Sequence, residues 1–173
     1  TAAGTKLAPP SSGTRELAEQ FKPTGTLEEW SKIANFYDRP GLEPHALALF
    51  FGFGSPLLKF IGPKQNVKGA LIHLKHNGSG SGKSTAQMVV NSIFGNPDTL
   101  LLKQDDTYAS KMHLLGMMNS IAFTVDEITN EKPEVLSDYA YGFTSGRGKH
   151  RMESQSNKLR VNNTSWCNFT LSS

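Results

Sequence analysis

Cysteine is almost missing: the 173 residues include one, Cys167, so no disulfide can form within the chain and stability must come from a packed core. That economy fits a reducing compartment. Net charge is also scarce, +3 at neutral pH, so no nucleic-acid partner can be argued from the total. Long clean apolar runs are lacking. The longest, Ala46 to Ile61, is interrupted by Gly52, Gly54, Pro56 and Lys59. It falls short of the roughly twenty apolar residues a bilayer span wants and reads as a buried helix, or two short ones meeting near Pro56. A basic-then-apolar leader and an initiator methionine are both missing, which suggests a processed product or an excerpt of something longer. What is present is ordinary for a globular domain, with 37% hydrophobic and 19% charged residues.

Composition divides the chain unevenly. Residues 1–25 are rich in Gly, Pro, Thr and Ser and read as a flexible arm or linker, broken only by Arg15 to Phe21. Residues 26–65 read as a helical lead-in. Thr26 followed by Leu27-Glu28-Glu29 has the form of a capping box, the helix running to about Tyr37, and Pro44 opens the apolar helix. Residues 66–173 alternate between the two periodicities. Gly69–Leu74, Thr99–Leu102, Ile121–Val125 and Trp166–Leu171 read as buried strands. Ser84–Phe94, a segment capped by Asp106 or Thr107 and reaching about Met118, and Pro133–Phe143 read as helices. Such alternation predicts an α/β domain with a mostly parallel sheet.

One turn in that layout carries chemistry. Asn77-Gly78-Ser79-Gly80-Ser81-Gly82-Lys83-Ser84-Thr85 lies between a predicted strand and a predicted helix. Glycines let backbone N–H groups turn inward around phosphates, and the helix that follows presents its positive end there. Lys83 is placed to reach the β- and γ-phosphates, the Ser84 hydroxyl to ligate magnesium, and Thr85 to support the α-phosphate. The strict pattern has glycine where this chain has Asn77. Asparagine tolerates a left-handed backbone best among the other residues, so the loop can still close. These residues predict ATP and Mg2+ as the bound species.

About forty residues downstream, Ile121-Ala122-Phe123-Thr124-Val125 ends in Asp126 and Glu127. A buried strand that delivers acids at its carboxyl end puts them where open α/β sheets bind ligands. Asp126 is expected to hold magnesium and Glu127 to polarise the attacking water, the two pointing to opposite faces of the strand. The interval leaves room for helix, strand and helix, so one extra strand should lie between the two motifs in sequence.

A third cluster is basic. Thr144-Ser145-Gly146-Arg147-Gly148-Lys149-His150-Arg151 follows the last predicted helix. Two functional readings stay open: Arg147, Lys149, His150 and Arg151 gripping nucleic-acid phosphates, or Arg147 or Arg151 acting as an arginine finger in a neighbouring subunit. A solvated basic turn is the plain alternative. Tyr139, Tyr141 and Phe143 read as packing rather than a base-stacking platform. Around His73 and His76 no paired metal-ligand spacing is found.

The extra strand plus the second acid resembles the division of P-loop NTPases, RecA- and AAA-like, that uses an additional strand and a catalytic glutamate. In that division the fourth strand ends in a polar residue sensing the γ-phosphate, which Ser172 or Ser173 would supply here; a fifth strand would lie beyond the sequence. From about Gly25 to Ser173 the chain resembles the DUF927-type phage and plasmid P-loop ATPases, related to superfamily-three and poxvirus-type primase-helicases. The likeness is carried by Gly25-Thr26-Leu27-Glu28-Glu29-Trp30, Phe53-Gly54-Ser55-Pro56-Leu57-Leu58, the phosphate loop, Val125-Asp126-Glu127-Ile128 and Thr144 to Lys149. It implies an ATP-hydrolysing helicase-type motor of DNA replication, a homo-oligomeric ring of six subunits, single-stranded DNA as partner and a primase or polymerase module nearby. It also implies the host's bacterial cytoplasm and no membrane. The rival expectations are a non-translocating ATP-dependent switch or scaffold and, behind it, a small-molecule phosphotransferase.

Overall fold

The computed structural model describes residues 12–128, 131–148, 151–153, 156–160 and 165–173. Its first elements are α1 (Ser12–Glu19), α2 (Leu27–Phe36) and α3 (Glu43–Ile61). The stretch read as an arm thus contains a helix, and Leu17 and Phe21 rest against the main core. The Gly95 N-terminal neighbourhood is closed by it too: the Asn96 N–H donates to Gln20 O at 2.7 Å. Thr26 caps α2 as expected, its hydroxyl accepting from Glu29 N–H at 3.2 Å.

The apolar run forms one helix rather than two, continuous through Pro56. A proline there removes an intrahelical hydrogen bond. Tertiary bonds offset that loss one residue earlier: Ser55 Oγ donates to Ser120 O at 3.0 Å and accepts from Phe169 N–H at 3.0 Å. Nor is α3 buried all round. Its buried stripe is Ala48, Leu49, Gly52 and Ser55, set against α4 (Lys83–Ser92) and β6 (Asn168–Ser172). At Gly52 the approach is so close that a Cβ would lie 2.7 Å from Ile93 Cδ1. Leu47, Phe50, Leu57 and Phe60 face outward, Phe50 at 70% exposure.

Between α4 and β6 the chain runs through α5 (Pro97–Leu100), β2 (Leu101–Leu102), α6 (Tyr108–Met118), β3 (Phe123–Val125), α7 (Pro133–Thr144), β4 (Arg151–Glu153) and β5 (Ser156–Arg160); β1 (Gly69–His73) precedes α4. Four strands form a parallel sheet in the order β1-β6-β3-β2. The extra strand expected between the motifs is β2, and β6 separates β1 from β3 in space. Thr99 and Leu100, expected in β2, belong instead to a one-turn helix that Asn96 caps with its side-chain oxygen. Pro97 at a first-turn position outweighs the apolar run there.

The main core is aromatic and aliphatic. Phe123, Tyr139 and Phe143 are buried, with the Tyr139 and Phe143 rings stacked at 5.4 Å, whereas Tyr141 points to solvent at 77% exposure. One charge sits in this core. The Lys111 side chain is fully buried, its Nζ donating to Gln104 O at 2.9 Å and Asp106 O at 2.7 Å and lying 5.1 Å from the Tyr139 ring centre. Burial pushes its ammonium below the ordinary lysine range, while Asp106, Glu131 and Asp105 pull the other way. The folded chain therefore binds fewer protons than the unfolded one as pH approaches the ordinary lysine value, and this penalty on folding shrinks as pH rises toward it. Lys111→Ala nonetheless removes the donor from two loop carbonyls and opens a void. We expect it to lower unfolding free energy by about 1–3 kcal/mol in urea titration at neutral pH.

Candidate functional site

The carboxyl ends of β1, β6 and β3 lie side by side, because these strands are parallel neighbours in register. A row of hydrogen bonds runs across them. His73 Nδ1 meets Ser172 Oγ at 3.0 Å, and Ser173 Oγ donates to Asp126 Oδ1. Leu74 N–H donates to Ser172 O at 2.7 Å, and Ile128 N–H to Ser173 O at 3.0 Å. The turn leading from β1 into α4 and the acids that follow β3 therefore flank the end of β6.

That turn is residues 74–82. Gly80 and Gly82 take left-handed conformations, φ +74° and +80°. Asn77 does not: the described non-glycine residues of positive φ are Asn66, Asn119 and Glu127. The asparagine thus needs no special tolerance, since the left-handed positions fall on glycines. His76 Nδ1 accepts from Gly78 N–H at 3.0 Å and tightens the start of the loop. Asn77, Gly78, Ser79 and Gly80 are exposed, Ser81, Gly82 and Lys83 half-buried, and Ser84 and Thr85 stand exposed in the first turn of α4. Ala86 N–H, bonded to Gly82 O at 2.8 Å, is the first amide of this helix with a backbone acceptor. The amides before it are the unpaired donors of a helix start. Lys83 Nζ meets Ser81 Oγ at 3.4 Å. Burial, then the charges of Lys75 and Lys83, hold the His73 imidazole below its ordinary pKa.

α4 is fixed over the acid strand from within. Gln87 is buried, its amide nitrogen donating to Val125 O at 2.9 Å and Leu171 O at 3.1 Å. Asn91 accepts from Thr124 Oγ1 at 2.9 Å. These bonds lock the helix that carries Lys83 and Ser84 to β3, which leads into Asp126, and to β6, which ends at Ser172.

The acids part by a route the strand periodicity did not predict. β3 stops at Val125, so neither acid is on a strand. Asp126 is half-buried, its N–H donating to Leu102 O at 2.8 Å, while Glu127 is exposed in a left-handed conformation, φ +59°. The two acids thus differ in exposure and backbone conformation, not by alternation along a strand. Glu127 N–H donates to Asp126 Oδ1 at 3.0 Å. Of the two candidate serines, Ser172 is buried on His73 and Ser173 reaches the acid.

The donor set fits a nucleotide with a divalent cation: a glycine-bent loop, helix-start amides, Lys83 and the Ser84 hydroxyl on one side, the Asp126 carboxylate on the other. Beside the loop a cleft of about 520 Å³ is lined by Leu42, His45, Phe51, Ile72, Leu74 and Lys83 among others.

Arg147 lies elsewhere. Gly69, which begins β1, is so close to the end of α7 that a Cβ would lie 3.2 Å from Phe143 O. Arg147 pairs with Ser165 just ahead of β6 and is exposed. It therefore sits at the amino edge of the sheet, a strand's length of roughly 15 Å from the glycine-bent turn of its own chain. Arg151 begins β4, which pairs antiparallel with β5 in a hairpin between α7 and β6. Lys149 and His150 fall outside the described residues.

The family model described as a domain of unknown function, DUF927, matches residues 2–163. The chain belongs to the DUF927 family. A solved structure titled SCCmec type IV Cch, an active helicase, matches with TM-score 0.62 and 23% identity. The match covers 90% of this chain and 28% of that one, so the DUF927 chain spans little more than a quarter of the helicase's length. At this identity the likeness establishes the fold alone, an α/β domain with a four-stranded parallel sheet. No protein of curated function matches.

Proposed function

We propose that this DUF927 domain is the ATP-hydrolysing motor of a phage- or plasmid-type replication helicase that translocates on single-stranded DNA. The observation that carries the reading is the row joining the end of β1 to Asp126 through Ser172 and Ser173, on a fold shared with an active helicase. In this reading residues 77–85 wrap the phosphates, the amides of residues 79–85 and Lys83 binding them, and Glu127 orients the water for in-line attack. Ser84 and Asp126 would hold magnesium, which would supply neutralising charge at the transferring phosphoryl group. Ser173 positions Asp126 and Ser172 positions His73 across the same edge, either serine being placed to register the γ-phosphate.

The remoteness of Arg147 from its own loop favours action on a neighbouring subunit or on nucleic acid. A ring, with six subunits as our working number, would provide the neighbour. The hairpin sequence, with Arg151, Lys158 and Arg160 against one acid, Glu153, suits DNA phosphates. A primase or polymerase module on the same chain and the host bacterial cytoplasm complete the proposal.

A second reading, an ATP-dependent switch or scaffold that does not translocate, is favoured by the exposed apolar residues of α3, which offer a surface to a protein partner. The two readings separate on one assay. With the full-length protein, ATPase turnover is expected to rise severalfold on adding single-stranded DNA and to lose that stimulation at high salt. Turnover indifferent to DNA would instead support the switch.

A further inference from the structure

The residue that touches the phosphate loop most directly from outside it is His45, in the first turn of α3. Its Nε2 lies 2.9 Å from Ser81 O. A carbonyl only accepts, so Nε2 carries the proton and donates. The same ring lies over Gly82, where a Cβ would meet Nε2 at 2.9 Å. On its other side the ring tilts against Tyr37, with centres 5.4 Å apart, and Tyr37 is itself buried at the end of α2. His45 Nδ1 is buried and has no hydrogen-bond partner among the described residues, so within them the ring's hydrogen bond goes to the loop.

The choice of atom matters. Ser81 C=O and Gly82 N–H belong to one planar trans peptide and point in opposite directions. Gly80 and Gly82 flank that peptide region in left-handed conformations, and glycine rotates out of them at little cost. Left alone, the peptide can flip and present a carbonyl where an anion needs an amide. Holding Ser81 O against α3 fixes the direction of Gly82 N–H, which leads the unpaired amides at the start of α4.

We propose that His45 is a positioning residue for nucleotide binding: it tethers the Ser81–Gly82 peptide so that the anion cradle is formed before ATP arrives. The proposal rests on the reading of residues 77–85 as a phosphate loop. It also gives the helical lead-in a role at the site, because Tyr37 and α3 brace the tether. Nothing in the spacing of the sequence marks His45, which lies 36 residues from its partner.

The test uses His45→Phe, which keeps a ring against Tyr37 and Gly82 but has no donor, and His45→Gln, whose amide can donate from a similar reach. In the nucleotide-free protein, the Gly82 amide resonance is expected to shift and broaden in His45→Phe and to return in His45→Gln. The Kd for MgATP should rise about five- to tenfold in His45→Phe, kcat at saturation staying near wild type, and should recover in His45→Gln. A Gly82 resonance unchanged in a folded His45→Phe overturns the tether, whatever the nucleotide result. So does a folded His45→Phe that binds MgATP as tightly as wild type does. Wild-type protein that binds no MgATP while Gly82 still responds would overturn the nucleotide reading and leave the tether standing.

Discussion

Lys83→Ala is expected to cut ATP turnover by roughly 10²–10³-fold, the usual consequence of deleting a preorganised charge that faces a developing anion. The fold should survive. Among the described residues the Lys83 ammonium makes one long hydrogen bond, to Ser81 Oγ at 3.4 Å, and the helix it opens is held by Gln87 and Asn91. Surface-proximal substitutions without structural bonds cost little, so unfolding free energy should move by less than about 0.5 kcal/mol. A second readout follows from His73, whose pKa is lowered by burial and then by Lys75 and Lys83. Removing Lys83 takes away one cation, so the His73 pKa should rise toward its ordinary value in an NMR titration. The sign carries into stability. A depressed histidine leaves the folded chain binding fewer protons than the unfolded one, so folding weakens as pH falls through the interval below the ordinary value. Lys83→Ala should make that loss smaller. Turnover at wild-type level in Lys83→Ala would sink the phosphate-loop assignment.

The motifs that could be read from the sequence are those in which local chemistry and fold agree. Asn77 to Thr85 announces itself because bent backbone, helix start and lysine are contiguous in the chain. Asp126 and Glu127 do so because a buried strand ends in charge. The same contiguity fails for the rest of the site. His45 and Ser173 meet their partners across 36 and 47 residues, and no periodicity links such pairs. The one-turn helix at Pro97–Leu100 was hidden because Thr99-Leu100-Leu101-Leu102 is apolar enough to read as strand, while the deciding signal was the cap and proline ahead of it. The apolar run at α3 misled in the other direction. Hydrophobicity alone cannot say which face is covered, and here small and polar residues, Gly52 and Ser55, make the close contacts while Phe50 and Phe60 stay outside. The hairpin β4–β5 carries no clear strand signal because half of its positions are charged and its apolar residues are few, Met152 opposite Leu159 in register.

Glu127 offers the test in which stability and activity should move apart. It is a non-glycine residue at φ +59°, a conformation that costs an ordinary side chain on the order of 1 kcal/mol or more. Asparagine tolerates it far better. Glu127→Asn should therefore raise unfolding free energy by about 0.5–1 kcal/mol, whereas Glu127→Gln keeps the strain and should leave stability near wild type. Both should lose hydrolysis by roughly 10²–10⁴-fold, the span typical of removing a general base, while still binding MgATP. The contrast separates roles that one substitution would confuse. If the left-handed turn served only to end β3, relieving it would change stability and spare turnover. If Glu127 handles the attacking water, loss of its carboxylate lowers turnover even in the more stable protein. Denaturant titration beside single-turnover hydrolysis reads both quantities. Hydrolysis persisting at wild-type rate in Glu127→Gln would remove Glu127 from the chemistry and leave its backbone conformation as a feature of the turn alone.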